Sequence, residues 1–334
     1  MSKGNLLSIV APVFNEAEVV ASFYARTKKV VDALESMSHE FIFVDDGSDD
    51  GTFDELTRIA ATDPHVRIVR FSRNFGHQVA ITAGLDYSAG DAVVIIDADL
   101  QDPPEVISEF LEKWREGYDV VYGVREKRSG ETRLKLMTAS LFYRLMRSLT
   151  KIDIPVDVGD FRLLSRRVVE KLRLLPERDR FVRGLVSWVG FNQVGFLYRR
   201  DPRFAGETKY PYRRMIKFAL DGVTAFSSVP LQLATWLGYF SSFLAFIYLC
   251  SVFVQKLLGY TVQGWATIMV ALLFLGGVQL ICLGIMGEYI GRIFNETKKR
   301  PLYLVDQVHS GGMTVESGLE TPVEDRAVSQ AVGR

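Results

Sequence analysis

The chain has 334 residues, 48% of them hydrophobic, and its 40 basic and 40 acidic residues leave no net charge. This length predicts about two domains. The balanced charge argues against a nucleic-acid binder that works through a global positive field. The two cysteines, Cys250 and Cys282, lie inside long apolar stretches, so they predict neither a disulfide framework nor a metal cluster.

Apolar strands alternate with helical patterns through the amino-terminal part of the chain. Such alternation predicts an α/β fold with a doubly wound, mostly parallel sheet. The sequence has neither Gly-x-Gly-x-x-Gly after the first strand nor Gly-x-x-x-x-Gly-Lys-Ser/Thr, which disfavours a dinucleotide Rossmann site and a P-loop. The predicted strands of this region are, in chain order, Leu6–Pro12, Glu40–Val44, Val66–Phe71, Val93–Ile96 and Tyr118–Gly123.

Carboxylates follow two of these strands directly: Asp45 and Asp46 after the second, and Asp97 and Asp99 after the fourth. In an extended chain, a spacing of two places Asp97 and Asp99 on one face. Open α/β sheets bind substrates at the carboxyl ends of their strands. Two hard oxygen ligands there suit Mg²⁺ or Mn²⁺ that also holds a diphosphate. A solvated acidic turn is the alternative for this motif taken alone.

Two later segments carry spaced apolar residues among many basic ones. We predict that residues 132–151 and 211–229 form amphipathic helices on the surface of an anionic membrane. For the first, an ordinary surface helix packed on the sheet is the alternative. The loop Arg199–Tyr210 is rich in arginine and lysine, as a phosphate site requires. For any one of its arginines, a solvated surface charge is the alternative. The other elements predicted between them are strand Val158–Leu164, helices Arg166–Leu175 and Arg180–Phe191, and strand Val194–Tyr198.

Two long segments, Leu231–Gln255 and Trp265–Gly287, contain no charged residue. A bilayer is crossed by about 20 apolar residues, so we predict two transmembrane helices rather than two buried helices of a soluble core. Basic residues lie outside both ends of the pair, whereas the connector carries only Lys256. This bias predicts a hairpin in the inner (plasma) membrane, with the catalytic domain and both termini in the cytoplasm. Glycines in the spans could pack between subunits of a homo-oligomer.

The predicted domain organisation follows from these elements. A cytoplasmic catalytic domain at 1–210 contains the inserted helix 132–151, and the interfacial helix 211–229 leads to the two spans at 230–290. A cytoplasmic segment at 291–334 ends the chain. Because Gly, Ser, Glu and Val dominate Asp306–Arg334 with little apolar pattern, we predict that this tail is disordered.

Six short motifs are Pro12–Glu16, Val44–Ser48, Asp97–Gln101, Gly159–Arg162, Arg180–Gly184 and Gly206–Tyr210. The first three together resemble the inverting glycosyltransferases of family 2, which have the GT-A fold. The last three are similar to the polyprenyl-phosphate branch of that family, which includes dolichol-phosphate mannose synthases and the bacterial bactoprenol glucosyltransferases of the GtrB type. The two carboxy-terminal spans fit the GtrB type best.

The resemblance implies transfer of a sugar from a nucleotide sugar, with UDP-glucose favoured, to a polyprenyl phosphate such as undecaprenyl phosphate. It implies that Asp97 and Asp99 hold the metal and the donor diphosphate, and that Asp160 lies close to the reacting centre. The residues implied to line the nucleotide site are Pro12, Phe14, Glu16, Asp45, Asp46 and Gln101. Those implied to bind phosphates of the acceptor or donor are Arg125, Arg133, Ser140, Arg203 and Lys209.

The chemistry of such a transfer is consistent with these roles. Displacement at an anomeric carbon passes through an oxocarbenium-like state, and a phosphate, whose second pKa is about 6, is already ionised at neutral pH. We therefore predict that Asp160 orients groups rather than acting as an obligatory base. A processive polysaccharide synthase, the first alternative, would need more spans and a Gln-x-x-Arg-Trp motif, which the sequence lacks. The second alternative is a non-catalytic membrane scaffold, and the intact Asp97 and Asp99 count against it.

Overall fold

The computed structural model describes residues 5–34, 37–126, 158–178, 180–201, 227–259, 264–311 and 313–316. The chain divides into two compact units. The first contains the described residues up to 201 together with those from Arg300 onward, and the second contains residues 227–299. The second unit therefore holds the two predicted spans.

Nine strands among the described residues of the first unit form one sheet. In chain order they are β1 (Asn5–Val13), β2 (Met37–Asp45), β3 (Val66–Phe71), β4 (Ala92–Ile95), β5 (Val120–Arg125), β6 (Val158–Ser165), β7 (Gln193–Tyr198), β8 (Val305–Ser310) and β9 (Met313–Glu316). Their order across the sheet is β7-β5-β6-β4-β1-β2-β3-β8-β9.

The helices of this unit follow the predicted alternation. They are α1 (Val20–Asp32), α2 (Thr52–Thr62), α3 (His77–Tyr87), α4 (Ile107–Arg115), α5 (Arg166–Arg173) and α6 (Val182–Trp188), with a 3-10 turn at Pro104–Val106 before α4. Helix α3 lies very close to β1, because a Cβ on Gly84 would come within 2.1 Å of the Val10 Cγ1 atom. Strands β1 and β4 are almost entirely buried, as their continuous apolar sequences predict.

The centre of the sheet is parallel: β1 pairs with β2 and β4, and β2 pairs with β3. The predicted α/β fold is confirmed. Strand β6 runs antiparallel between β4 and β5, and Ile95 faces Arg162 in its register. Because β6 is inverted, its first residues lie beyond the carboxyl end of β4. This inversion brings Asp160 to the edge where Asp97 and Asp99 follow β4.

The prediction that Asp306–Arg334 is disordered is wrong for its first part. Strand β8 pairs antiparallel with β3, and β9 pairs with β8. The ring of Tyr303 stacks on Phe71 at 5.1 Å, and its hydroxyl donates a hydrogen bond to Asp86 at 3.0 Å. An added strand obtains its backbone hydrogen bonds from β3, so it needs few apolar side chains, and composition alone pointed to disorder. Residues 317–334 lie outside the described part of the chain.

The second unit is a pair of antiparallel helices, α7 (Val229–Leu257) and α8 (Trp265–Thr297). The Tyr289 hydroxyl donates to the Ser227 carbonyl at 2.6 Å, and the Cys282 thiol donates to the Ala234 carbonyl at 3.4 Å. Each helix is long and apolar enough to cross a membrane, and only 6% of the apolar window of each is buried. The two predicted spans lie within these helices. The predicted interfacial helices at 132–151 and 211–229 fall almost entirely outside the described residues.

Candidate active site

The site begins where β4 ends and the chain turns sharply. Leu100 has a φ of 57°, the left-handed conformation that non-glycine residues seldom adopt. The backbone N–H of Gln101 donates to Asp99 Oδ1 at 3.1 Å, which closes the turn. Such a strained turn persists only when its surroundings hold it. It places Asp97, Asp99 and Asp102 in one short loop.

Asp97 is crowded by other acids. One of its oxygens, Oδ1, is buried and makes no hydrogen bond. Burial raises the pKa of Asp97 to about 6, and the nearby Asp160, Asp102 and Asp99 add to this rise against the opposing effect of His77. A half-buried carboxylate with a buried spare oxygen among other carboxylates is stabilised by a cation. The chemistry of Asp97 and Asp99 therefore fits a divalent metal ion.

Asp160 has the opposite environment, although it is also buried, with 3% of its surface exposed. Arg183, from α6, donates from Nε to Oδ1 at 2.8 Å and from Nη2 to Oδ2 at 2.9 Å. His77 Nε2 lies 3.2 Å from Oδ2 of the same carboxylate and 3.6 Å from Asp97 Oδ1. Although burial opposes ionisation, the hydrogen bonds from Arg183 and His77 hold the pKa of Asp160 well below its usual value. Asp160 is thus ionised, and both oxygens are engaged.

His77 joins the two carboxylates and opens α3. Burial alone would lower its pKa, but the Asp160 contact and the charge of Asp97 give a net increase. The Asp46 carboxylate fixes the turn before it by accepting hydrogen bonds from the backbone N–H groups of Phe75 at 2.6 Å and Gly76 at 2.9 Å. The second strand thereby determines where His77 lies.

All of the implied nucleotide residues except Gln101 lie at the neighbouring ends of β1 and β2, where Pro12 pairs with Val44 and Val13 with Asp45. Asp45 is fully buried; its Oδ1 accepts from the Ser48 N–H at 3.1 Å, and its Oδ2 lies 3.5 Å from Arg70 Nε. Burial raises the pKa of both Asp45 and Asp46.

Three of the residues implied for the nucleotide differ in exposure. Phe14 is 46% exposed, Glu16 is half-buried, and Pro12 is buried. The backbone N–H of Glu16 donates to Thr52 Oγ1 at 2.8 Å. An exposed aromatic ring at a strand end can stack against a planar base, whereas the buried side chains shape the loops around it.

Asp102 forms a second cluster in the same loop. It is fully buried, and its Oδ1 accepts hydrogen bonds from the Tyr198 hydroxyl at 2.5 Å and from Arg200 Nε at 2.9 Å. Its Oδ2 lies 4.0 Å from Arg125 Nη2. Burial would lower the pKa of Arg125, but the charge of Asp102 contributes to a net increase. Arg125 also packs tightly over Gly159, because a Cβ there would lie 2.5 Å from its Nη2.

The structure thus brings Asp97, Asp99, Asp160 and Arg125 to one edge of the sheet, with Gln101 in the same loop. The predicted phosphate residues Arg133, Ser140, Arg203 and Lys209 lie outside the described residues. Sequence reasoning gave no role to His77, Asp102 and Arg183, and it included Arg200 only as part of the basic loop Arg199–Tyr210 predicted to bind phosphate. Arg183 stands inside a recognised motif and His77 opens a predicted helix, but only the fold reveals their partners.

The mixed α/β sheet, the strand-end carboxylates and the apolar hairpin define a membrane-associated α/β enzyme. Residues 8–173 match the family model described as "Glycosyl transferase family 2", and residues 229–293 match that described as "GtrB C-terminal hairpin". The chain therefore belongs to glycosyltransferase family 2 and is a glycosyltransferase.

Full-length relatives agree with this assignment. The uncharacterized glycosyltransferase YkcC of Bacillus subtilis (strain 168) is 52% identical, over 92% of this chain and 95% of the relative. The prophage bactoprenol glucosyl transferase homolog of Escherichia coli (strain K12) is 44% identical, over 90% of this chain and 99% of the relative. The SfII prophage-derived bactoprenol glucosyl transferase of Shigella flexneri is 44% identical, over 91% of this chain and 99% of the relative. These alignments extend through both units.

Proposed function

We propose that this enzyme transfers a sugar from a nucleotide-sugar donor, UDP-glucose being favoured, to a polyprenyl phosphate at the cytoplasmic face of the membrane. The observation that carries the proposal is the half-buried Asp97, whose Oδ1 is buried without a hydrogen bond, beside Asp99 and the arginines, in a chain that also has an apolar hairpin. Relatives named bactoprenol glucosyl transferase, which align with about 90% of this chain, support the lipid acceptor and the glucose donor, and so does the match of this chain to the GtrB C-terminal hairpin.

In this proposal Asp97 and Asp99 would hold Mg²⁺ or Mn²⁺, which would act as a Lewis acid on the departing nucleoside diphosphate. Phe14, Glu16 and the loops built on Asp45 and Asp46 form the nucleotide side of the site. Arg125 binds a phosphate of the acceptor or donor, together with the arginine and lysine side chains predicted at 133, 203 and 209. The lipid phosphate attacks the anomeric carbon and inverts it.

Asp160 does not serve as the base in this reaction. Its carboxylate is held ionised by Arg183 and His77, which occupy both oxygens. A phosphate nucleophile is largely ionised at neutral pH, since its second pKa is about 6, so no proton needs to be removed. Asp160 instead holds Arg183 and His77 in place beside the reacting atoms.

The hairpin accounts for the lipid substrate. A polyprenyl phosphate keeps its tail in the bilayer and its phosphate at the interface, so the enzyme must remain at the membrane. We infer an inner-membrane location with the catalytic unit and both termini in the cytoplasm, because basic residues flank the outer ends of α7 and α8. A two-helix hairpin is small for a channel that conducts a growing polymer, which disfavours a processive synthase. Association into homo-oligomers through span glycines stays a prediction.

The test is transfer by purified full-length protein given undecaprenyl phosphate, Mg²⁺ or Mn²⁺, and separate labelled UDP- and GDP-sugars. We expect one labelled hexose per lipid, with UDP-glucose the preferred donor. Asp97→Asn and Asp99→Asn should each reduce turnover by about a hundredfold or more, because several kcal/mol of metal stabilisation are lost. Asp54→Asn, which removes an exposed carboxylate from the first turn of α2, is the matched control.

Each failure has a distinct meaning. Full activity in EDTA would contradict the metal role of Asp97 and Asp99. Several sugars on each lipid would favour a processive synthase. If none of the donors gave lipid-linked sugar, the proposed acceptor would be wrong.

A further inference from the structure

Asp102 is the third carboxylate of the loop after β4; its Oδ2 is buried without a hydrogen bond, 4.0 Å from Arg125 Nη2, whereas its Oδ1 binds two side chains. Its Oδ1 is occupied by the Tyr198 hydroxyl and by Arg200 Nε, and the residue is fully buried. Asp102 Oδ1 therefore binds side chains of the protein itself rather than a ligand. Its principal charged partner is Arg200, the second residue after the end of β7.

The contact with Asp102 determines which part of Arg200 remains available. A guanidinium has five N–H donors in a rigid fork, and Asp102 takes the one on Nε. The Nη2 atom lies 3.7 Å from Asp99 Oδ2, which is beyond hydrogen-bond distance. About a fifth of the side chain is exposed, so its outer donors can be reached by a ligand. The guanidinium is thus held beside Asp99 with donors to spare.

The backbone around Arg200 is fixed to the same loop. The N–H of Asp201 donates to the Gln101 carbonyl at 2.8 Å, so the residues after β7 are tied to the residues after β4. The Asp201 carboxylate also pairs with Arg26 at 3.0 Å. Arg200 is consequently held on both sides, by its side-chain contact and by its backbone neighbour. Little conformational entropy remains to be lost when it binds an anion.

We propose that Arg200 is a donor-phosphate-binding residue and that Asp102 and Tyr198 are the positioning residues that direct it. The inference rests on the proposed function, because it assigns Arg200 to the nucleoside diphosphate of that donor. Its place beside Asp99 favours the donor diphosphate over the acceptor phosphate, since Asp99 would share the metal with the diphosphate. A planar guanidinium suits two phosphate oxygens at once.

The experiment measures binding of UDP, and separately of GDP, to the full-length protein with Mn²⁺ by titration calorimetry, without any acceptor. Arg200→Ala should weaken binding of the nucleotide that the wild type prefers by about ten- to a hundredfold. Arg200→Lys should recover part of the affinity, since the charge remains but the fork is lost. Arg58→Ala, which removes an exposed arginine from α2, is the matched control and should bind like the wild type.

Asp102→Asn separates positioning from simple electrostatics. Removing a negative charge near the site would tighten the binding of an anionic nucleotide if only charge mattered. Positioning predicts the opposite: weaker nucleotide binding and a higher KM for the donor, with the KM for polyprenyl phosphate unchanged. Tyr198→Phe, which removes only the hydroxyl, should act in the same direction but less strongly. The midpoint of thermal unfolding identifies any variant that has failed to fold. If Arg200→Ala or Asp102→Asn does not fold, the conservative variants Arg200→Lys and Tyr198→Phe test the same two roles.

Several results would overturn the assignment. Unchanged nucleotide affinity in Arg200→Ala would show that this arginine only neutralises the acidic loop. A higher KM for polyprenyl phosphate alone would move it to the acceptor site, and tighter binding in Asp102→Asn would remove the positioning role. A wild type that binds neither nucleotide would also refute the proposal. If nucleotide binding depends on Arg200 but no sugar reaches the lipid, the assignment stands and the proposed acceptor fails.

Discussion

Replacing Asp160 should lower kcat/KM by nearly the same factor as replacing its partner Arg183. The two side chains share a fork of 2.8 and 2.9 Å, and only 4% of the Asp160 side chain is exposed. Arg183 is half-buried, whereas Asp160 is buried, and leaving a buried charge without its partner costs about 3–5 kcal/mol. If the pair acts as a unit in the transition state, Asp160→Asn and Arg183→Gln should each lower kcat/KM by about 10²–10³-fold.

The double variant is the decisive measurement. When two groups work only through each other, losing both costs little more than losing one, so the coupling energy in the cycle should equal about one single loss, roughly 3–4 kcal/mol. The assay is transfer to undecaprenyl phosphate under subsaturating donor. The exposed Lys113–Glu116 pair, joined at 2.9 Å, provides a matched control cycle that should show no effect on kcat/KM. Additive losses for Asp160 and Arg183 would refute the idea that one orients the other.

Two further predictions concern topology and pH. In a cysteine-free background, Leu258→Cys should react with an impermeant thiol reagent outside intact cells and Ser38→Cys should not; the reverse pattern would overturn the orientation. Although burial opposes it, hydrogen bonds from Lys28 and Tyr24 hold the pKa of Asp63 below its usual value. The contribution of Asp63 to folding stability is therefore fully present above the pKa of about 4 that it has in the unfolded chain. This contribution is lost as pH falls through its lower pKa in the folded protein. Asp63→Asn should destabilise the protein by about 2 kcal/mol at pH 7 and much less near pH 2, measured by unfolding; an equal loss at both pH values would contradict this account.

Local patterns predicted the parts of the fold that depend on local sequence. Period and composition located the central strands and both long helices, and carboxylates at strand ends located the edge where Asp97 and Asp99 lie. The inverted direction of β6 was not predicted, because an apolar run carries no information about the direction in which it pairs. Strand β8 was missed because its hydrogen bonds come from β3, more than two hundred residues earlier in the chain.

The missed site residues have the same physical explanation. Asp102 meets Tyr198 across 96 positions of sequence, and Asp160 meets His77 across 83. No spacing rule connects such pairs, and a lone histidine or arginine in a sequence is more often an ordinary surface residue. Family resemblance could place Asp160 near the chemistry, but only the hydrogen bonds reveal that its charge is already matched within the protein.

The opposite environments of Asp97 and Asp160 favour the kind of acceptor that we propose. Burial among acids leaves Asp97 in need of a positive partner, whereas Asp160 has received one from Arg183 and a second contact from His77. Neither carboxylate suits proton removal from a sugar hydroxyl, since one would hold the metal and the other has both oxygens engaged. A hydroxyl acceptor would need such a base, but a phosphate does not, because it arrives ionised. The arrangement of these two carboxylates therefore matches a nucleophile that already carries its charge, as a lipid phosphate does.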